Sequence, residues 1–102
     1  MTYTLTKESS DKYTIKIHKN LNESIPQLIE EVDSLIKEGI INFEVNLKDT
    51  TYISSTGLNV LLSILTKSRI AGGDTCLSGM NEKIANLLMI TKLNQLFTLI
   101  EN

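Results

Sequence analysis

Polar and apolar residues alternate in two short runs near the start of the chain. Tyr3 and Leu5 stand between Thr2, Thr4 and Thr6, while Tyr13, Ile15 and Ile17 alternate with Thr14, Lys16 and His18. This period of two predicts a pair of strands, and the polar stretch Glu8 to Asp11 between them predicts a hairpin. From Ile25 the period changes. Ile25, Leu28, Ile29, Val32, Leu35 and Ile36 recur at the three-and-four spacing that lines one stripe of a helix. Ser24 and Gln27 read as a capping box at its start, Pro26 suits the first turn, and Gly39 supplies a left-handed stop.

Period two returns at Ile41, Phe43, Val45 and Leu47, whose neighbours Asn42, Glu44, Asn46 and Lys48 are polar. This strand therefore has one buried and one wetter face, and helices are expected to crowd one side of the sheet. Beyond Asp49 to Ile53 the hydroxyl run Ser54-Ser55-Thr56 and Gly57 lead into Leu58, Val60, Leu61, Leu62, Ile64 and Leu65, a second and more deeply buried helix that ends at Gly72-Gly73. Lys67 and Arg69 suit the negative pole of that helix. Asp74 to Gly79 predicts a short strand and Asn81 a cap for a third helix through Ile84, Leu87 and Leu88. Leu93 to Ile100 predicts a turn and a last strand.

The order strand, strand, helix, strand, helix, strand, helix, strand specifies an α/β fold. We expect a mixed, mostly parallel sheet of four to five strands, an N-terminal antiparallel hairpin, and helices mainly on one face. The helices beginning near Ile25 and Leu58 should pack on the same side. At 102 residues and 41% hydrophobic content, residues 1–102 fit a single domain with its own core.

Composition narrows the chemistry. A formal net charge of -2 with scattered Lys and Arg argues against a nucleic-acid-binding patch. No signal-like start and no apolar stretch long enough to span a bilayer are present, so a cytoplasmic location without membrane insertion is expected. Cys76 and His18 are the only residues of their kinds, too few soft ligands for a zinc or redox-metal site. Cys76, within Thr75-Cys76-Leu77, reads as a small buried hydrophobe, and His18 as a surface residue rather than a catalytic base.

The segment Tyr52 to Leu58 passes from a strand-like stretch into a helix with three consecutive hydroxyls at the helix start. Hydroxyls in that position ordinarily cap the helix. The same free N–H donors and positive pole would also accommodate a phosphate carried by one of the hydroxyls. Other chemistries lack their parts. The glycines form neither a phosphate-cradling loop nor a dinucleotide fingerprint, since Gly72-Gly73 follows a helix instead of preceding one. No nucleophile elbow is present, and His18 is the sole imidazole for a serine nucleophile. Glu44 and Asp49 do not form a carboxylate pair. An enzyme or ligand carrier is thus disfavoured, and no cofactor is expected.

The run from Val45 to Leu62, with Asp49-Thr50-Thr51-Tyr52-Ile53-Ser54-Ser55-Thr56-Gly57-Leu58 at its centre, resembles the signature of the STAS domain family in its anti-sigma factor antagonist type. Ala71-Gly72-Gly73 and the Leu-rich segment Ile84 to Phe97 resemble the family's later elements, and the element order is the family's. The resemblance implies a binding protein and not an enzyme. In antagonists of this type the serine after the motif's Asp is phosphorylated, which maps onto Ser55, within a partner-binding loop of Ser54, Ser55, Thr56 and Gly57. Ser54 occupies the place of that Asp, and Asn22 stands where another acidic residue of the family would fall. The implied partners are an anti-sigma factor that is also a serine kinase, bound when Ser55 is unphosphorylated, and a serine phosphatase that restores that form. This is partner switching in the regulation of transcription. A non-switching scaffold or transport-complex subunit, binding its partner constitutively, is the alternative on the same fold. No sequence feature specifies an oligomeric state. Gly57 is expected to lie against its surroundings closely enough that Gly57→Val weakens partner binding more than folding.

Overall fold

The computed structural model describes residues 2–100. Its elements follow the chain as β1 (Tyr3–Lys7), β2 (Lys12–Ile17), α1 (Pro26–Lys37), β3 (Asn42–Asn46), α2 (Ser55–Ile70), β4 (Asp74–Ser78), α3 (Glu82–Ile90), a 3₁₀ turn (Leu93–Gln95) and β5 (Thr98–Ile100). The five strands lie in sequence order across one sheet. β1 and β2 pair antiparallel, and every later pair is parallel with one helix in each connection.

The period-two pattern decides which face is buried. Leu5, Ile15, Val45, Leu77 and Leu99 stand side by side in one row across all five strands. The adjacent row, Thr6, Thr14, Glu44, Cys76 and Thr98, faces the other way. Ile15, Ile17, Phe43, Val45 and Leu77 join Leu28 and Val32 of α1, Leu61 and Ile64 of α2, and Ile84 and Leu88 of α3 in one hydrophobic cluster. All three helices therefore lie on the same face, as the alternation required. α1 and α2 also meet directly, where Lys67 Nζ lies 3.0 Å from a carboxylate oxygen of Asp33. Between α2 and β4 the buried Ser68 hydroxyl donates to the carbonyl of Leu65 at 2.9 Å and lies 2.8 Å from Thr75 Oγ1. Both hydroxyls are thereby satisfied within the core.

Two local expectations change. The capping box at the start of α1 does not form: the N-cap is Ile25, without a side-chain cap, and Ser24 remains outside the helix and exposed. Burial of Ile25 draws that residue into the core, and Pro26 at the first helical position has no N–H that needs an acceptor. Cys76 is not a core residue. Thr75 and Leu77 take the buried face of β4, which leaves Cys76 half-buried on the open face. Partial burial first, and the carboxylate of Glu44 next, push its thiol pKa above the ordinary value. It is a poor nucleophile there.

The helix stops behave as the glycines suggest. Gly39 and Gly72 both have a φ of +97°, a conformation that costs other L-residues strain. Gly73 is constrained differently, because a Cβ there would lie 1.8 Å from the carbonyl oxygen of Ile41. Gly73→Ala must displace backbone between α2 and β3, so it should lower unfolding free energy by about 2 kcal/mol or more. Gly39→Ala has nothing within 4 Å of its added carbon and should cost about 1 kcal/mol of backbone strain. Urea denaturation of the two variants checks this order.

Candidate functional site

The loop between β3 and α2 is built by fastening it to the chain that leaves β2. Thr50 closes the turn after β3 through its N–H to the carbonyl of Leu47 at 3.0 Å, and its hydroxyl donates to the carbonyl of Lys19 at 2.9 Å. Asn20 then acts as a hub. Its Oδ1 accepts from the Thr51 N–H at 2.9 Å, the Thr51 hydroxyl at 2.8 Å and the Tyr52 N–H at 3.1 Å. Leu21 continues the attachment, donating to the carbonyl of Tyr52 and accepting from the N–H of Ser54, each at 3.0 Å. Leu21 and Ile53 form a parallel β-bridge that extends the pairing of β2 and β3 past the ends of the strands. On the opposite side Asn81 Nδ2 donates to the carbonyl of Thr51 at 3.3 Å. Tyr52 and the hydroxyl run are thus presented on a braced segment.

Helix α2 starts immediately after this brace. Ser54 is its N-cap, and the Ser54 hydroxyl accepts from the N–H of Gly57 at 3.2 Å while its carbonyl accepts from Leu58 at 2.9 Å. The Ser54 hydroxyl is therefore occupied by capping. Ser55 and Thr56 occupy the first two helical positions and are exposed. Among the described residues, no hydrogen bond engages the Ser55 hydroxyl. The first helical turn contains no acidic side chain, so the positive pole of the helix is not neutralised locally. Ser54 fills by hydroxyl the capping role that an Asp could fill by carboxylate. The difference is one negative charge beside Ser55.

Gly57 is buried, and a Cβ there would meet the carbonyl oxygen of Leu21 at 2.0 Å and its carbon at 2.8 Å. The close approach expected from the sequence is present, but its partner is the chain's own backbone. Any side chain at Gly57 must displace the carbonyl that holds Ser54. Gly57→Val should therefore damage folding at least as much as binding, against the expectation that binding suffers more.

The other sequence candidates lie away from the hydroxyls. Asp49 is 3.6 Å from both Lys16 Nζ and His18 Nδ1. His18 is exposed and its other ring nitrogen is hydrogen-bonded with Thr4 Oγ1. Glu44 lies on the open sheet face, 3.6 Å from Lys12 Nζ, and accepts the Ser78 hydroxyl at 2.8 Å. Asn22 is exposed next to Leu21. Among the described residues, no group of three or more His, Cys, Asp and Glu side chains could hold a metal ion, and no helix is long and apolar enough to cross a membrane. Sequence reading did not find Asn20 and Leu21. Their partners are 31 to 33 residues away, and only pairing of the sheet brings them together.

Beside the hydroxyls, the loop and α3 enclose a cleft of about 500 Å³. Ile53, Leu58, Ile84 and Leu87 contribute apolar wall, Tyr52 lies on the same rim at 56% exposure, and Ser54, Ser55 and Lys83 contribute polar atoms. The site thus joins an unengaged hydroxyl to an open apolar surface.

A family model described as the STAS domain matches residues 6–102. An anti-sigma-B factor antagonist of Staphylococcus epidermidis is 30% identical over 87 residues, covering 84% of this chain and 81% of that protein. Two solved structures share the fold. An anti-sigma-factor antagonist domain protein from Planctomyces limnophilus superposes with a TM-score of 0.82 at 12% identity, covering 98% of this chain and 90% of that one. The Bacillus cell fate determinant SpoIIAA in its phosphorylated form does so with a TM-score of 0.79 at 13% identity, again covering 98% and 90%.

The division of labour between Ser54 and Ser55 has a measurable consequence. Ser54→Ala removes the α2 cap and should cost about 1 kcal/mol, whereas Ser55→Ala should stay within about 0.5 kcal/mol of the parent. Chemical denaturation of the two variants separates them.

Proposed function

The chain belongs to the STAS domain family, and on that footing we propose that it is an anti-sigma factor antagonist of the cytoplasm that works by partner switching at Ser55. Its partner in this reading is an anti-sigma factor that is also a serine kinase, and the partner is bound through Ser54, Ser55, Thr56 and Gly57 while Ser55 is unmodified. The curated relatives are named antagonists of an anti-sigma factor, and a protein of the same fold is known in a phosphorylated form. The observation that carries the reading is the free hydroxyl of Ser55 at the start of a helix already capped by Ser54.

That arrangement lets modification change charge without changing fold. The kinase would transfer the γ-phosphoryl group of ATP to Ser55 Oγ, which loses its proton, and ADP would leave. Hydrolysis by a serine phosphatase would return the hydroxyl and inorganic phosphate. The phosphate meets the positive pole of α2 and breaks no capping hydrogen bond. In the bound complex the cost is different. A neutral hydroxyl is cheap to bury, whereas a group carrying nearly two negative charges must be paired or desolvated.

Ser55→Ala should retain affinity for the kinase-type anti-sigma factor, and Ser55→Asp should lose about tenfold, less than phosphate itself, because a carboxylate has less charge and fewer acceptors. Calorimetric titration of both variants with that partner, together with mass spectrometry of protein purified from its own cells, tests the reading. Equal binding by both variants and no phosphate on Ser54, Ser55 or Thr56 would replace it with a constitutive scaffold.

A further inference from the structure

The cleft beside Ser55 has an unusual combination of walls and charge. Tyr52 and Leu58 on one side and Ile84 and Leu87 on the other make it apolar, and Lys83 is its only charged lining residue. No ion pair engages Lys83 among the described residues, a condition it shares with Lys7, Lys37, Lys48 and Lys92, but of these only Lys83 lines the cleft. The adjacent turn of α2 carries no acidic side chain, so the helix pole adds to the positive character of the rim. A net-negative protein thus presents an apolar recess whose lining carries one positive charge, with Glu82 next to it outside the lining.

We infer that this cleft is a socket for a segment of the partner protein in which an apolar side chain is followed by a carboxylate, the apolar group entering between Tyr52 and Leu87 and the carboxylate meeting Lys83. The inference rests on the partner-switching reading and adds to it the chemistry that the partner must present. It also gives modification a specific point of action. With Ser55 unmodified, the rim carries the single positive charge of Lys83. A phosphate on Ser55 adds nearly two negative charges to the same rim and reverses its sign, so an acidic segment that was attracted is repelled.

The test uses the full chain labelled with nitrogen-15 and two probes, acetyl-Phe-Asp-amide and acetyl-Phe-Lys-amide, in an NMR titration. The aspartyl probe should give saturable shifts at Tyr52, Leu58 and Leu87 and bind about fivefold more tightly than the lysyl probe. Lys83→Glu, an exposed position whose exchange leaves the core untouched, should invert that preference, and Ser55→Glu should weaken the aspartyl probe. Saturable shifts absent from the cleft, or equal binding of both probes by parent and Lys83→Glu, would overturn the inference. The same variants separate it from the reading beneath it. If Ser55→Asp releases the anti-sigma factor but Lys83→Glu binds it like the parent, the socket falls and switching stands. If Ser55→Asp binds normally while the probes discriminate as expected, the socket stands and switching falls.

Discussion

The contact between the carbonyl of Leu21 and the bare α-carbon of Gly57 is the constraint on which the site depends. That carbonyl accepts the N–H of Ser54, the residue that caps α2, and it can do so only because Gly57 has no side chain to occupy the same space. One backbone group thereby sets the position of the loop, the start of the helix and the exposure of Ser55. Asn20 reinforces it by satisfying three donors of the loop with a single oxygen. A loop held in this way presents its hydroxyls with little ordering left to be done on binding, which favours affinity.

The remainder of the architecture serves that presentation. Parallel sheets are ordinarily covered on both faces, yet here all helices share one face. The open face stays wet because its rows are polar and internally paired: Lys12 with Glu44, Glu44 with Ser78, and Lys16 and His18 with Asp49. Placing α1, α2 and α3 on the same side aligns the end of the β3–α2 loop with the first turns of α3, which produces the cleft. Had α3 crossed to the other face, the cleft would lose the wall that Ile84 and Leu87 supply.

Charge is economical at the site. Ser54 supplies the cap without the carboxylate that the family's motif carries, so the first turn of α2 bears no acidic side chain and the cleft lining bears only the charge of Lys83. A modification that adds negative charge there acts against a weak positive background and dominates it. The fold need not move for the surface to change sign.

Much of this could be read before folding was considered. Period two at Tyr13 to Ile17 and at Phe43 to Leu47 fixed one buried face, period three-to-four at Leu28 to Ile36 fixed a helix, Gly39 marked its stop and Asn81 the start of α3, because these signals depend only on neighbours along the chain. The motif at Ser54 to Gly57 was legible for the same reason. The capping box at Ser24 was misread because burial of Ile25, a tertiary effect, outweighed a local hydrogen bond. Cys76 was misplaced because a half-apolar run of three residues does not state which of them points inward until β3 and β4 pair. Asn20, the Leu21 carbonyl against Gly57, and Lys83 beside Ser55 were decided by the tertiary structure alone. Each joins residues about thirty positions apart, and only the closing of the sheet and the docking of α3 bring them within reach.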